Sequence, residues 1–373
     1  METANPIVTE FQADLTKTNG LKSVPLLTDS VQNQHAGVAH VAHLASNGLS
    51  LQSNASPDNC TGPGVDFQHA LYAVSYTIVF VPGLLTNSVA LWILCRFISK
   101  QNKTVIFMIN LAVADFAHVL SLPLRIYYYI NNYWPFGIFL CQFCFYIKYL
   151  NMYASICFLT CISVQRYFFL LHPFRAKNWK RRYDVAICVA GWTVVGVGCL
   201  PFPLMRDFKN TEACFTELEV KKISNKAASL VMVMVAECIG FLVPLIVVVY
   251  CTWKTKVSLQ EYRTPLQNAV EKQKALRMVA TCAVVFFVCF TPYHIVFFFF
   301  MMVKETVITD CGTVKSILYI HPFCLSLASL NCCLDPILYF FTTSEFQERI
   351  SRSSSLAFRS RLMSKESASS EKE

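Results

Sequence analysis

The chain has 373 residues and a formal net charge of +9, with 54% hydrophobic and 14% aromatic residues but only 15% charged ones. Soluble domains carry about 25% charged residues, and 30 Phe against 12 Gly excludes a disordered or collagen-like chain as well as an ordinary cytosolic enzyme. What remains is a protein whose apolar faces meet lipid.

Residues 1–66 are polar, rich in Ser, Thr, Asn and Gln, and weakly patterned, which predicts a disordered tail. A basic stretch followed by an apolar one is absent, so no cleavable signal is evident and the first span serves as the anchor signal. Asn54-Ala-Ser56 and Asn59-Cys-Thr61 are glycosylation acceptor patterns.

A membrane-crossing helix needs about 20 mostly apolar residues. Seven runs qualify. Ala70 to Cys95 carries no charge, and Thr104 to Leu124 carries only Asp115. Phe139 to Leu171 carries Lys148 and Arg166, whereas Val185 to Met205 carries none. Ala227 to Trp253 carries only Glu237, Met278 to Val303 none, and Ser316 to Thr343 only Asp335. Backbone groups in hydrocarbon must pair within their own segment, so these runs are predicted as helices. The alternation of a barrel strand is absent. The expected fold is an all-α membrane protein, a seven-transmembrane bundle over residues 67–343. In the cytoplasmic tail, 344–373, Ser344-Glu-Phe-Gln-Glu-Arg-Ile350 is expected to lie as a short amphipathic helix on membrane lipid. Ser353, Ser354 and Ser355 are candidate phosphorylation sites.

Most of the 32 Lys and Arg fall between spans one and two, three and four, five and six, and in the tail. Basic connectors face the cytoplasm, so the amino terminus is expected outside. Most of the 17 cysteines lie inside apolar runs, where they serve as small lipid-compatible filler. No Cys and His spacing fits a zinc site.

Ionisable groups inside a bilayer are costly, so each is a functional candidate. Asp115 and Asp335 are single carboxylates in spans two and seven, and Asn331 lies one helical turn before Asp335. Asn87 and Ser155 are polar at similar depth. These five residues form either a buried cluster for a cation such as Na⁺ or a shared proton, or a polar packing network. No other cofactor is implied. Prolines 82, 123, 201, 203, 244, 292 and 336 interrupt the spans and predict kinks.

An ordered set of motifs then carries a resemblance. It comprises Asn87, Leu111-Ala-Val-Ala-Asp115, Trp134-Pro-Phe-Gly137, Cys141, Gln165-Arg166-Tyr167, Trp192, Pro244, Cys289-Phe-Thr-Pro-Tyr293 and Asp335-Pro-Ile-Leu-Tyr339. Together they resemble the rhodopsin-like (class A) G-protein-coupled receptors over about residues 68–350. Asp-Pro in span seven and Phe-Thr-Pro-Tyr-His in span six look like the purinoceptor-like branch. Pro123-Leu-Arg-Ile-Tyr-Tyr-Tyr129 and the run from Lys148 to Cys161 are similar to a receptor of that branch associated with lysophosphatidylserine and other lysophospholipids.

The resemblance implies a cell-surface receptor rather than an enzyme. It implies a bridge from Cys141 to Cys214 and a second from Cys60 to Cys311, both at an oxidising outer face. It implies a heterotrimeric G protein as partner, of the twelve/thirteen class, meeting Gln165, Arg166, Tyr167, Pro173, Phe174, Tyr339 and the basic connector from Lys254 to Arg277. Arrestin and receptor kinases are implied on a phosphorylated tail, and no nucleic acid. Two residues depart from the pattern. Gln165 replaces the usual acid beside Arg166, which predicts a less restrained off state with appreciable basal signalling. Thr252 stands where most relatives carry a tyrosine, with Tyr250 two residues away.

Near the outer ends, Arg125 lies ten residues after Asp115, and Lys148 seven after Cys141. Snorkelling serves these two less well because they sit deeper, so they converge on an anion or on an internal carboxylate, and an arginine fork suits a phosphate or carboxylate. Arg206 and Lys304 end spans four and six and either snorkel or join them. Glu237 either takes a ligand ammonium or pairs with Lys148. Tyr149, Tyr293 and His294 are candidate pocket residues with Tyr153 and part of the run Phe297 to Phe300. An acyl chain entering between helices would complete a lysophospholipid site. A nucleotide receptor has similar anion needs but no use for a long dry channel. Inverted repeats of a carrier and a selectivity filter are not seen, so a transporter or channel is the alternative of another class. An intramembrane enzyme using Asp115 and Asp335 stands third.

Overall fold

A computed structural model describes residue 60 and residues 62–96, 104–204, 214–215, 226–260 and 266–342. The acceptors Asn54 and Asn59, Arg206, and the tail from Thr343 onward, with its expected amphipathic helix and serines, lie outside the described residues. So does the side chain of Tyr339.

Among the described residues, seven helices are long and apolar enough to cross a membrane. They are spans one (Val65–Arg96), two (Val105–Asn131), three (Gly137–Leu171), four (Arg181–Leu204), five (Val233–Ser258), six (Gln273–Lys304) and seven (Cys311–Leu338). A short helix, Pro173–Lys177, lies between spans three and four. No strand occurs among the described residues. Span one begins five residues ahead of its apolar run because helix formation does not stop at the hydrocarbon edge; Asp66 in its first turn suits the positive end of the helix dipole.

Local chemistry sets several ends. Asn132 closes span two in the left-handed region, its N–H donating to the Tyr128 carbonyl, a conformation Asn tolerates. Gly137 opens span three at φ +76°, where a side chain would be strained, while the Trp134 indole donates to its carbonyl at 2.8 Å. At the head of span seven, Asp310 accepts from the Thr313 N–H at 2.8 Å and from its hydroxyl at 2.7 Å. Those bonds favour the charged form and hold this exposed carboxyl below its ordinary value.

Spans five and six each contain a π turn, Cys238–Leu242 and Phe286–Phe290. The next residue's N–H reaches back five positions, Val243 to Cys238 and Thr291 to Phe286. Pro244 and Pro292 follow directly. A proline lacks an N–H and crowds the preceding turn, and the wider π turn admits it without ending the helix. The expected kinks at these two positions therefore take the form of π turns.

Span two is the most enclosed, with 61% of its apolar window buried, and span four the most peripheral, with 11%. Around a buried apolar core, the exposed helix faces and the buried polar residues depart from those of a soluble protein. Ile78, Leu85, Trp92, Ile246 and Val197 are exposed, whereas Asn87, Asp115, Ser155, Asn331 and Asp335 are buried. Lipid is as apolar as leucine, so helix association relies on close packing and internal hydrogen bonds. Span five comes so close to span three that a methyl group on Gly240 would sit 2.8 Å from the Tyr153 ring.

Candidate functional site

A cavity of about 560 Å³ opens among all seven spans, Tyr72 of span one included. At one end Arg125, Lys148 and Tyr149 line it, together with Tyr129, Phe215 and His321. Its other end is apolar and passes between spans three, four and five, along Cys157, Cys161, Val194, Ile239 and Pro244.

Arg125 is fully buried. One Nη donates to the Cys144 carbonyl, whereas Nε and the other Nη have no hydrogen-bond partner. The guanidinium lies 4.5 Å from the Phe215 ring centroid and 5.7 Å from that of Phe145. Phe215 follows Cys214, which the structure bonds to Cys141 at the top of span three. That bridge thus draws an aromatic face of the connector between spans four and five over the cation. Phe215 was absent from the expected site, and its only sequence signal is adjacency to a bridging cysteine. The second bridge, Cys60–Cys311, ties the segment before span one to the start of span seven.

Lys148 lies 5.9 Å from the Tyr149 ring, and Tyr149 stacks on Phe202 at 4.1 Å. Lys304 lies over Phe300 at 5.3 Å, and Phe300 stacks on His321 at 4.1 Å. Lys304 is therefore one aromatic layer behind the cavity wall. The partner the structure gives Glu237 is His294, whose Nδ1 lies 3.1 Å from both carboxylate oxygens. Sequence reasoning offered Glu237 a ligand ammonium or Lys148 and did not foresee this pair. Phe241 of the π turn stacks on the same imidazole at 4.3 Å. Tyr293 is buried between Phe297 and His321. Tyr153 both lines the cavity and meets His294 edge-on at 5.8 Å.

Deeper, Asp115 Oδ1 accepts from Asn151 at 2.8 Å, Asn331 at 3.3 Å and Ser155 at 3.5 Å. Asn331 also donates to the Ser155 hydroxyl at 3.0 Å. Asn87 donates to the carbonyls of Gly83 and Cys332, joining spans one and seven. Asp115 Oδ2, Asn331 Oδ1 and both oxygens of Asp335 are buried and accept no geometrically regular hydrogen bond, and the Asp335 carboxyl faces the Asp115 carboxyl and the Asn331 side chain. Asn151 was missed although its amide, polar within an apolar run, was a visible signal in the sequence.

At the opposite end, Gln165 does not engage its neighbour Arg166. Its amide donates at 2.8 Å to Asp184 of span four. Arg166 is not ion-paired with a carboxylate among the described residues. Tyr167 meets Tyr250 at 5.8 Å, and Thr252 instead donates to the Val248 carbonyl within its own helix. Pro173 opens the short connecting helix, and Phe174 projects from it, 89% exposed.

The family described as "7 transmembrane receptor (rhodopsin family)" matches residues 86–339. The chain belongs to this family. The receptor is 62% identical to a human protein whose name ends in "purinoceptor 10" over 313 residues, 83% of this chain and 92% of that one. It is 50% identical to human "Probable G-protein coupled receptor 174", over 79% of this chain and 90% of that one. Human "Lysophosphatidic acid receptor 4" is 36% identical over 79% of this chain and 80% of its own. The receptor is a multi-pass plasma-membrane protein of the purinoceptor-like branch with lysophospholipid-receptor relatives, and not an enzyme.

Proposed function

We propose that this receptor is activated by an anionic lysophospholipid, lysophosphatidylserine first, and signals through heterotrimeric G proteins of the twelve/thirteen class. The observation that carries this reading is the two-ended cavity. Arg125 brings two unpartnered N–H-bearing nitrogens, and Lys148 a second cation, to one end. The other end is an apolar groove towards the faces of spans four and five. A phosphate or carboxylate suits the first, and an acyl chain suits the second. A nucleotide would satisfy the cations and leave the groove unused. The named ligand of the lysophosphatidic acid receptors supports the same chemistry.

Two oxidised bridges, Cys60–Cys311 and Cys141–Cys214, support an extracellular face at this end and an amino terminus outside. Arrestin and receptor kinases are then partners of the tail, and Asn54 and Asn59 are sugar acceptors. The oxygens left over on Asp115, Asp335 and Asn331 form a hard donor set that suits Na⁺. Ligand arrival acts by favouring one of two bundle arrangements, which requires different affinity for each.

The test is a G-protein dissociation assay in receptor-null cells with lysophospholipids and nucleotides, repeated on Arg125→Ala. Response to lysophosphatidylserine, lost in the variant at matched surface expression, supports the reading. Response to nucleotides alone, or unchanged potency in Arg125→Ala, overturns it.

A further inference from the structure

Asp184 stands in the first turn of span four and is completely buried. One of its oxygens, Oδ1, accepts two hydrogen bonds from different parts of the chain. The Gln165 amide of span three donates at 2.8 Å. The Trp179 indole, from the connector between spans three and four, also donates at 2.8 Å. Trp179 in turn packs on Phe168 at 5.7 Å, Phe169 at 6.2 Å and Tyr183 at 5.5 Å. A single carboxyl therefore fastens three segments at one point.

The connector held in this way is the one that carries Phe174. Its helix, Pro173–Lys177, spans five residues and is too short to hold itself in place. At its start the His172 ring leans on Tyr167 and Phe168. At its end it is held through Trp179. Phe174 projects from between these two supports, 89% exposed, with Arg175 and Lys177 in the same turn. A bare phenylalanine beside two cations fits a protein partner with an apolar hollow and an acidic rim.

We propose that Asp184 is a positioning residue for the intracellular partner: its clasp on Gln165 and Trp179 fixes the connector and thereby aims Phe174. Asp184 touches neither ligand nor partner. The glutamine beside Arg166 is then a structural choice. Its amide supplies the N–H that Asp184 needs, and a carboxylate in its place would face a second carboxyl. The inference rests on the receptor reading above, but it makes a claim about the connector that holds whatever the ligand is.

The test uses the full-length receptor in lipid nanodiscs. Hydrogen exchange is followed over residues 173–179, and G-protein activation is measured at equal agonist occupancy. Asp184→Ala, Trp179→Phe and Gln165→Glu are expected to speed exchange there roughly tenfold, since each removes or opposes a hydrogen bond to a buried charge-bearing group. Maximal activation is expected to fall several-fold, with agonist affinity within about twofold of the parent. The double variant Gln165→Glu with Asp184→Asn restores a donor facing an acceptor and is expected to return exchange to the parental rate. Unchanged exchange in Trp179→Phe and Gln165→Glu overturns the proposal, and so does failure of the double variant to rescue. If Asp184→Ala does not fold, those two arms still decide. A parent receptor that activates no G protein refutes the proposed function instead, and the exchange arm still judges the clasp.

Discussion

Glu237 and His294 face each other across spans five and six, with Nδ1 3.1 Å from both carboxylate oxygens. Glu237 retains 7% exposure and His294 none. The neighbours of Glu237 at positions 236 and 240 line the cavity. A ligand ammonium arriving there competes with the imidazole for one carboxylate. Glu237→Gln is therefore expected to weaken lysophosphatidylserine by about tenfold or more, the scale of one hydrogen bond to a buried charge. Lysophosphatidic acid, which has no amine, is expected to change less than about threefold. Dose–response curves for both lipids check this; equal losses, or none, remove the amine role.

Gly240 and Tyr153 both line the cavity, and the glycine leaves 2.8 Å where a methyl group would meet the ring. Gly240→Ala forces that ring to move and narrows the passage between the polar and apolar ends. Overpacking of this kind costs about 1–3 kcal/mol. Lower thermal stability is expected, together with a loss of potency that grows with acyl-chain length. A variant equally potent towards short and long chains would show that the chain does not use this passage.

Phe215 covers Arg125 at 4.5 Å. An aromatic face over a desolvated cation contributes up to about 2 kcal/mol, so Phe215→Leu keeps the bulk and loses the attraction. A potency loss of roughly tenfold is expected, with the Cys141–Cys214 bridge intact by mass mapping. Wild-type potency would mean that the Cys144 carbonyl and the Phe145 ring hold Arg125 without Phe215.

Asp115 and Asp335 bring two facing carboxyl groups, with three oxygens that accept no regular hydrogen bond, into the middle of the bundle. If Na⁺ balances them in the off state, added NaCl lowers agonist affinity in the parent, compared with equal N-methylglucamine chloride. Asp115→Asn is expected to abolish this sodium effect. Persistence of the full effect in both Asp115→Asn and Asp335→Asn would remove the ion from this site.

Seven helices were legible because hydrocarbon leaves the backbone no alternative: a long apolar run must pair its own N–H and C=O groups. Asp115, Asp335 and Arg125 stood out for the same reason, as costly groups at depth. Sequence alone did not show that Pro244 and Pro292 sit behind π turns, since both a kink and a π turn absorb a proline. Nor did it join Glu237 to His294, Gln165 and Trp179 to Asp184, or Phe215 to Arg125. Burial in lipid is a property of each segment and can be read along the chain. The choice of hydrogen-bond partner belongs to side chains brought together from different helices, and only the packed bundle determines it.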